Sequence, residues 1–161
     1  MSALVAGLFT GGCQCGAVRY RATARHKSAS ICHCRMCQKA VGGYFAALCR
    51  LPDDRLTWTR GQPAVFASSD QADRGFCRDC GTPLFYRWKG GGFTSVTLGS
   101  LDDTQAVAPN HQFGIEGRVP FLAGLASLPG DETTEEEMPD DAPAIAATNH
   151  QHPDHDTDHW P

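Results

Sequence analysis

Apolar residues in this chain fall into short runs with a period of two, and Gly or Pro bounds most of these runs. In residues 17–22, Val18 and Tyr20 alternate with Arg19 and Arg21, which predicts a half-buried strand. Residues 35–41 favour one or two helical turns. Further strands are predicted at residues 43–50, 56–59, 64–67, 84–88 and 93–98. The pattern therefore predicts a mainly β fold of antiparallel sheets with little helix.

The length of 161 residues is enough for one hydrophobic core and too short for two ordinary domains. The 17 Gly and 10 Pro favour a turn-rich β protein. The apolar stretch at residues 3–9 is too short to span a membrane, and it lacks the basic region and cleavage signal of a secretory peptide. We therefore expect a cytoplasmic protein without a membrane segment.

Charge divides the chain into two parts. Residues 129–161 contain ten of the 18 acidic residues and none of the 14 basic ones, so residues 1–128 carry a net charge of +6 and the tail −10. The tail also has five Pro and no periodic apolar pattern, which predicts disorder. We expect a folded domain at 1–128 and a disordered acidic tail at 129–161. The basic domain suits an anionic small molecule or a phosphate backbone, and a solvated surface is an equal alternative.

Seven of the eight cysteines lie in three short motifs: C-x-C at Cys13 and Cys15, C-x-C-x-x-C at Cys32, Cys34 and Cys37, and C-x-x-C at Cys77 and Cys80. Cysteines one or two residues apart are poorly placed for mutual disulfides and well placed to share a metal. Clustered thiolates favour zinc, with iron second. Cys49 lies within an apolar strand pattern and is interpreted as a core residue.

Seven ligands divide naturally into four and three. Pairing the two isolated motifs gives a structural site that would join the start of the domain to its middle. The remaining motif supplies three corners of a tetrahedron and leaves the fourth for water or a substrate thiol. Two histidines are alternatives for that fourth corner: His111, and less favourably His33, which lies between two ligands and would normally point away.

Several segments together resemble the glutathione-dependent formaldehyde-activating enzyme family, also called the GFA/CENP-V domain. The matching segments, in order, are GGCQCGAVRY, CHCRMCQKAVGG, RGFCRDCGTPLFYR, GSLDD and PNHQFG, and they span residues 11–114. The resemblance implies an Mss4-like, β-tent arrangement of antiparallel sheets. It also implies a structural zinc at Cys13, Cys15, Cys77 and Cys80 and a catalytic zinc at Cys32, Cys34 and Cys37.

The family implies a carbon–sulfur lyase that joins glutathione and formaldehyde as S-hydroxymethylglutathione. Zinc would ionise the incoming thiol at neutral pH, and His111 is a candidate donor to the developing alkoxide. Basic residues near the cysteines could bind the carboxylates of an anionic thiol. These candidates are Arg35, Lys39, Arg74 and Arg78.

A non-catalytic zinc domain that recognises a protein or nucleic acid is the main alternative. Nucleic-acid binding would need a basic stripe with exposed aromatic residues, for which Arg19, Arg21 and Arg25 on one strand offer a weak version. A thiol redox role for Cys32–Cys37 is disfavoured because three close thiolates bind metal readily. The expected partners are therefore a small-molecule thiol and a small aldehyde, with nucleic acid not expected.

Overall fold

Ten strands form two sheets in the computed structural model, which describes residues 4–159. Residues 1–3 and 160–161, the outer ends of the expected domain and tail, lie outside the described residues. One seven-residue helix, α1 (Arg35–Val41), precedes the fourth strand. The strands are β1 (Leu4–Gly12), β2 (Arg19–His26), β3 (Ala29–Cys32), β4 (Ala46–Pro52), β5 (Leu56–Arg60), β6 (Ala64–Ser69), β7 (Ala72–Phe76), β8 (Pro83–Trp88), β9 (Phe93–Thr97) and β10 (His111–Phe113).

The smaller sheet has the order β1-β2-β5, and the larger has the order β10-β3-β4-β9-β8-β7-β6. All strand pairs are antiparallel except β10 with β3, which is parallel. The mainly β fold with little helix is confirmed, and the parallel edge strand is an addition to the predicted antiparallel arrangement.

Four strands lie outside the segments that hydrophobic alternation predicted: β1, β3, β7 and β10. Strand β1 is an edge strand with mostly exposed or half-exposed residues, so it lacks a buried apolar face. Strands β3 and β10 have only four and three residues, too few to show a period. The helix occupies the predicted residues 35–41, and it ends at Gly42 in the left-handed conformation that terminates many helices.

One face of the larger sheet packs on the hydrophobic core, and the other face packs against helix α1. On the core side, Cys49, Leu51 and Val96 are at most 1% exposed and pack with Tyr20 and Ala22 of the smaller sheet. The burial of Cys49 confirms its interpretation as a core residue. The opposite face carries Leu48 and Tyr86, which form a separate cluster with Cys37 of α1. Because side chains alternate along a strand, adjacent residues of β4 serve the two faces.

Arg19 differs from the solvated strand residue that its alternation with Val18 and Tyr20 predicted. It is buried, and it donates two hydrogen bonds to Asp102, from Nη1 at 2.7 Å and from Nη2 at 2.6 Å. Its Nη2 also donates to Asp156 at 2.8 Å. An arginine paired with two carboxylates cannot bind phosphates, so the proposed basic stripe loses its first member.

The acidic tail includes two short helices, α2 (Thr134–Glu137) and α3 (Ala142–Thr148). Beyond them, the backbone N–H of His152 donates to the carbonyl oxygen of Gln14 at 2.7 Å, and the His152 ring is buried beside Arg60. The disorder expected for residues 129–161 and the domain boundary at 128 stay predictions. Within residues 4–159, no helix is long and apolar enough to cross a membrane.

Candidate metal centre and active site

Two similar turns form the four-cysteine group and join the two sheets. Cys13 and Cys15 lie between β1 and β2 of the smaller sheet, and Cys77 and Cys80 lie between β7 and β8 of the larger. In each turn a glycine with positive φ donates its N–H to the first cysteine's carbonyl, from Gly16 at 3.1 Å and from Gly81 at 3.0 Å. Glycine adopts this conformation without strain, which allows the chain to fold back around its sulfurs.

The sulfur positions in this group fit a tetrahedral zinc ion. The four Sγ atoms lie within 4.8 Å of one another, with Cys15 Sγ 3.6 Å from Cys13 Sγ and 3.8 Å from Cys77 Sγ. Zinc–sulfur bonds of about 2.3 Å in a tetrahedron place sulfurs about 3.8 Å apart. The N–H of Val18 donates to Cys13 Sγ at 3.2 Å, as expected for a thiolate. This group can therefore bind a metal, and its chemistry is consistent with zinc.

Without a cation, the buried sulfurs of this group favour different protonation states. Burial raises the pKa of the Cys13 thiol to about 12. Burial also acts to raise the pKa of Cys80, but hydrogen bonds with Thr82 and the backbone of Cys15 outweigh it and lower that pKa to about 6. Four thiolates at this separation consequently require a positive charge between them, which a divalent metal would provide.

The second group consists of Cys32 at the end of β3, Cys34 at the N-cap position of α1, and Cys37 in its first turn. Their three Sγ atoms also lie within 4.8 Å of one another. Among residues 4–159, no His, Asp or Glu joins either group within that distance. The sequence spacing indicated this grouping of four and three, while the ligand roles stay predictions.

Residues far along the chain hold the three-cysteine loop in place. The Nε2 of buried Gln38 donates to the carbonyl oxygens of His33 and Gly117, both at 2.9 Å. At Gly114, φ is +62°, and a Cβ atom would lie 2.7 Å from the Cys34 backbone N. The segment after β10 therefore packs directly on the loop, and glycine is required for this approach.

His33 points away from the sulfurs, as its position between two ligands suggested. The ring is fully buried, packs against Phe45 and shares a 2.9 Å hydrogen bond between its Nε2 and the side-chain oxygen of Gln112. This arrangement makes His33 part of the support beneath the loop.

The three sulfurs of the loop differ in acidity. Burial raises the pKa of the Cys32 thiol to about 12. Burial also acts to raise the pKa of Cys34, but the backbone N–H of Cys37, the neighbouring thiols and the N–H of Met36 outweigh it and lower that pKa below 9.0. Cys34 is thus the more acidic of these two thiols, and Cys32 needs a nearby cation to ionise at neutral pH.

Arg74 is fixed beside the third sulfur by three contacts. Its Nη2 donates to Cys37 Sγ at 3.4 Å, and its Nε donates to Ser68 Oγ at 3.2 Å. The guanidinium carbon lies 5.1 Å from the centre of the Tyr86 ring, within cation–π range. Arg74 therefore places a positive charge directly beside the three-cysteine loop.

Two adjoining cavities open next to this loop. We call the first the cysteine cavity: it measures about 440 Å³, and Cys32, Cys34 and Cys37 form part of its wall. The second, the helix cavity, measures about 570 Å³ and lies along α1. Four residues line both cavities: Met36, Leu48, Arg74 and Tyr86.

The lining of the two cavities is positively charged. Arg35 and Lys39 line the helix cavity, Arg50 lines the cysteine cavity, and Arg74 lines both. Among the described residues, no Asp or Glu lines either one. Three of the four expected carboxylate-binding residues therefore lie at a cavity, and Arg78 does not. Arg78 is exposed in the turn of the four-cysteine group.

His111 lies at the edge of the site. Strand β10 pairs in parallel with β3, with His111 opposite Ser30 and Phe113 opposite Cys32. The His111 ring is exposed, and its centre lies 4.5 Å from that of Phe113, which lines the cysteine cavity. His111 itself is not among the lining residues, and its catalytic role stays a prediction.

Sequence reasoning did not identify the other walls of the cysteine cavity. Motif spacing does not reveal most of these residues because they come from separate strands, although the strand alternation of Tyr86 and Trp88 was visible. The missed residues are Ser30, Met36, Leu48, Arg50, Tyr86, Trp88, Phe93, Ser95 and Phe113.

The sequence profile of the glutathione-dependent formaldehyde-activating enzyme family matches residues 8–116, which include all seven clustered cysteines. The chain belongs to this family. The match begins within β1, includes β10 and ends within the segment that packs on the three-cysteine loop.

A relative in Schizosaccharomyces pombe, named an uncharacterized lyase, is 29% identical over 83 residues. The match covers 52% of this chain and 60% of that relative's length. A Rhodobacter sphaeroides protein of known crystal structure superposes with a TM-score of 0.50 at 22% identity, covering 65% of this chain and 98% of that protein. At this identity the structural likeness shows the fold alone.

Proposed function

We propose that this member of the formaldehyde-activating family is a zinc-dependent carbon–sulfur lyase that joins an anionic thiol such as glutathione to a small aldehyde such as formaldehyde. The two zinc ions per chain have different roles. Cys13, Cys15, Cys77 and Cys80 would hold the structural ion, and Cys32, Cys34 and Cys37 would hold the catalytic ion. The reaction takes place in the cytoplasm, where thiols stay reduced.

The observation that carries the proposal is the convergence of three sulfurs on the wall of a positively charged cavity. A zinc ion with three protein ligands supplies an open position and lowers the pKa of a thiol that binds there. Three sulfurs within 4.8 Å, without a fourth side chain of His, Asp or Glu among residues 4–159, suit such a centre. The surplus of Arg and Lys around the site suits a ligand with carboxylates.

The protein's own residues bind, orient and neutralise the substrate. Arg35 and Lys39 in the helix cavity bind the carboxylates of the thiol peptide and direct its sulfur toward the loop. Arg74 stays hydrogen-bonded to Cys37 and offsets the negative charge of the thiolates. In the addition, the sulfur–carbon bond forms while the carbonyl π bond becomes a carbon–oxygen single bond. The proton released by the thiol ends on the new hydroxyl oxygen, so no further reactant is needed.

Calorimetry of glutathione and S-methylglutathione against the zinc-loaded protein tests the proposal. If the thiol enters the open position, we expect the methyl cap to weaken binding at least about ten-fold. Equal affinity for both ligands would contradict the thiol-activation step. Two-dimensional exchange NMR then measures whether the protein accelerates adduct formation with formaldehyde.

Two cysteine variants provide the matched comparison. Cys34→Ser should abolish the preference for the free thiol and leave a folded protein. Cys49→Ala removes a buried thiol that belongs to neither group, so the preference should persist. Loss of the preference in both variants would show that the effect does not come from the three-cysteine group.

A further inference from the structure

The cysteine cavity is far larger than a one-carbon aldehyde requires. Formaldehyde adds a single hydroxymethyl group to the thiol, whereas the cavity measures about 440 Å³. An apolar cavity of roughly 150 Å³ is enough to bind benzene in another protein. Space therefore remains beyond the sulfurs for a substituent much larger than a hydrogen atom on the carbonyl carbon.

The floor of this cavity is one row of side chains across the larger sheet. Strand register places Arg50 opposite Ser95, Ser95 opposite Tyr86, and Tyr86 opposite Arg74. Arg74 at one end contacts Cys37, so the row leads from the three-cysteine loop across the sheet. At the other end, the Arg50 guanidinium carbon lies 4.7 Å from the centre of the Phe93 ring.

Most of the other large side chains in the walls are aromatic. Tyr86, Trp88, Phe93 and Phe113 all line the cavity, and Leu48 and Met36 extend the apolar surface. Trp88 and Phe113 are 45% and 43% exposed, so both rings leave apolar surface open to a ligand in the cavity. Aromatic side chains favour a flat apolar group that can stack against their rings.

We propose that the aromatic part of the cysteine cavity is a subsite for a planar, apolar substituent on the carbon that bonds to the thiol. The protein then binds glutathione adducts of aromatic aldehydes more tightly than the adduct of formaldehyde. This inference rests on the proposed function. The ligand then occupies both cavities: the charged peptide lies in the helix cavity, and the group donated by the aldehyde lies in the cysteine cavity. Addition to an aromatic aldehyde follows the same atom balance as addition to formaldehyde.

Thioethers of glutathione isolate the subsite from the metal, because their sulfur is a weak ligand in every case. The test compares S-benzylglutathione with S-methylglutathione by calorimetry on the full-length, zinc-loaded protein. We expect the benzyl compound to bind at least about ten-fold more tightly. We expect the Trp88→Ala, Phe113→Ala double variant to reduce this ratio below about three-fold. Both side chains are half-exposed, so their truncation should leave the core intact, and a thermal unfolding scan checks this.

Phe121→Ala is the matched control. Phe121 is 53% exposed, packs on Tyr44 and lines neither cavity, so the benzyl-to-methyl ratio should not change. Equal affinity for the two thioethers would overturn the subsite, as would a benzyl preference that survives the double variant.

Free glutathione, measured in parallel, separates the two proposals. If free glutathione binds more tightly than S-methylglutathione and the two thioethers bind equally, only the subsite is overturned. If free glutathione does not bind, the proposed function and the subsite are overturned together.

Discussion

Replacing Cys77 with Ser is expected to lower the free energy of unfolding by at least about 4 kcal/mol. Cys77 is fully buried, and its sulfur lies 3.8 Å from that of Cys15, 62 residues earlier in the chain. A metal shared by these residues cross-links the two sheets. For a loop of this length, the chain-entropy relation for a cross-link gives about 4 kcal/mol at 25 °C.

This value is a lower bound because the metal contributes more than loop closure. Structural zinc sites are worth roughly 10 kcal/mol or more at neutral pH, whereas whole domains are stable by about 5–15 kcal/mol. Cys77 also packs in a core cluster with Val18, Leu84 and Phe85, which loses its order when the turn opens. We therefore expect the variant to be largely unfolded at room temperature.

Cys34→Ser provides the contrast. The three-cysteine loop spans only residues 32–37, and Gln38 and the segment at residues 114–117 already hold it by hydrogen bonds and packing. Loss of this metal therefore releases little chain entropy, and we expect a cost below about 1.5 kcal/mol. The Cys49→Ala control, which removes a buried non-ligand thiol, should cost about 1 kcal/mol.

Urea denaturation followed by circular dichroism measures all three variants, with zinc content determined on the same samples. If Cys34→Ser and Cys77→Ser lose equal stability, the division into a structural and a catalytic site is wrong. If Cys77→Ser retains the full stability of the native protein, the four-cysteine group does not cross-link the sheets.

Three further predictions concern metal content, the packing of the loop and pH. The native protein should contain two zinc ions per chain, and elemental analysis showing fewer than about one and a half would contradict the two-site assignment. Gly114→Ala adds a Cβ atom 2.7 Å from the Cys34 N, so cobalt titration should show at least about ten-fold weaker binding at the three-cysteine loop and unchanged binding at the other group; equal weakening at both would refute the packing argument. Burial acts to raise the pKa of Asp102, but hydrogen bonds from Arg19 and Thr10 outweigh it and hold the pKa below 3.8. The carboxylate therefore stabilises the fold above about pH 4, and this contribution is lost as pH falls through the folded-state pKa. Asp102→Asn should cost about 3 kcal/mol at pH 7 and flatten the loss of stability below pH 4, whereas unchanged acid sensitivity would contradict this role.

Local patterns in the sequence were sufficient for part of this architecture. The helix at residues 35–41 and six of the strands were predicted from short local runs of apolar residues, and in some of these strands apolar and polar residues also alternate. The two cysteine groups follow from motif spacing, because chelation by neighbouring residues is a local property. Cys49 was also placed correctly, since it continues an apolar strand.

Other features depend on residues that only the folded chain brings together. The alternation of residues along β2 predicts a surface position for Arg19. In the folded chain, Asp102 and Asp156 form ion pairs with it and make its burial favourable. The short strands β3 and β10 are too brief to show a period and exist because neighbouring strands complete their hydrogen bonds.

The sequence by itself determined the β class of the fold, the division of cysteines into four and three, and the positive charge of the domain. Only the tertiary structure brings Arg74 into contact with Cys37 and places aromatic residues from β8, β9 and β10 in one cavity. The physical reason is the separation of the residues along the chain. Ligand spacing and strand alternation depend on residues that are close in sequence, whereas cavity walls and buried ion pairs depend on strand register between distant segments.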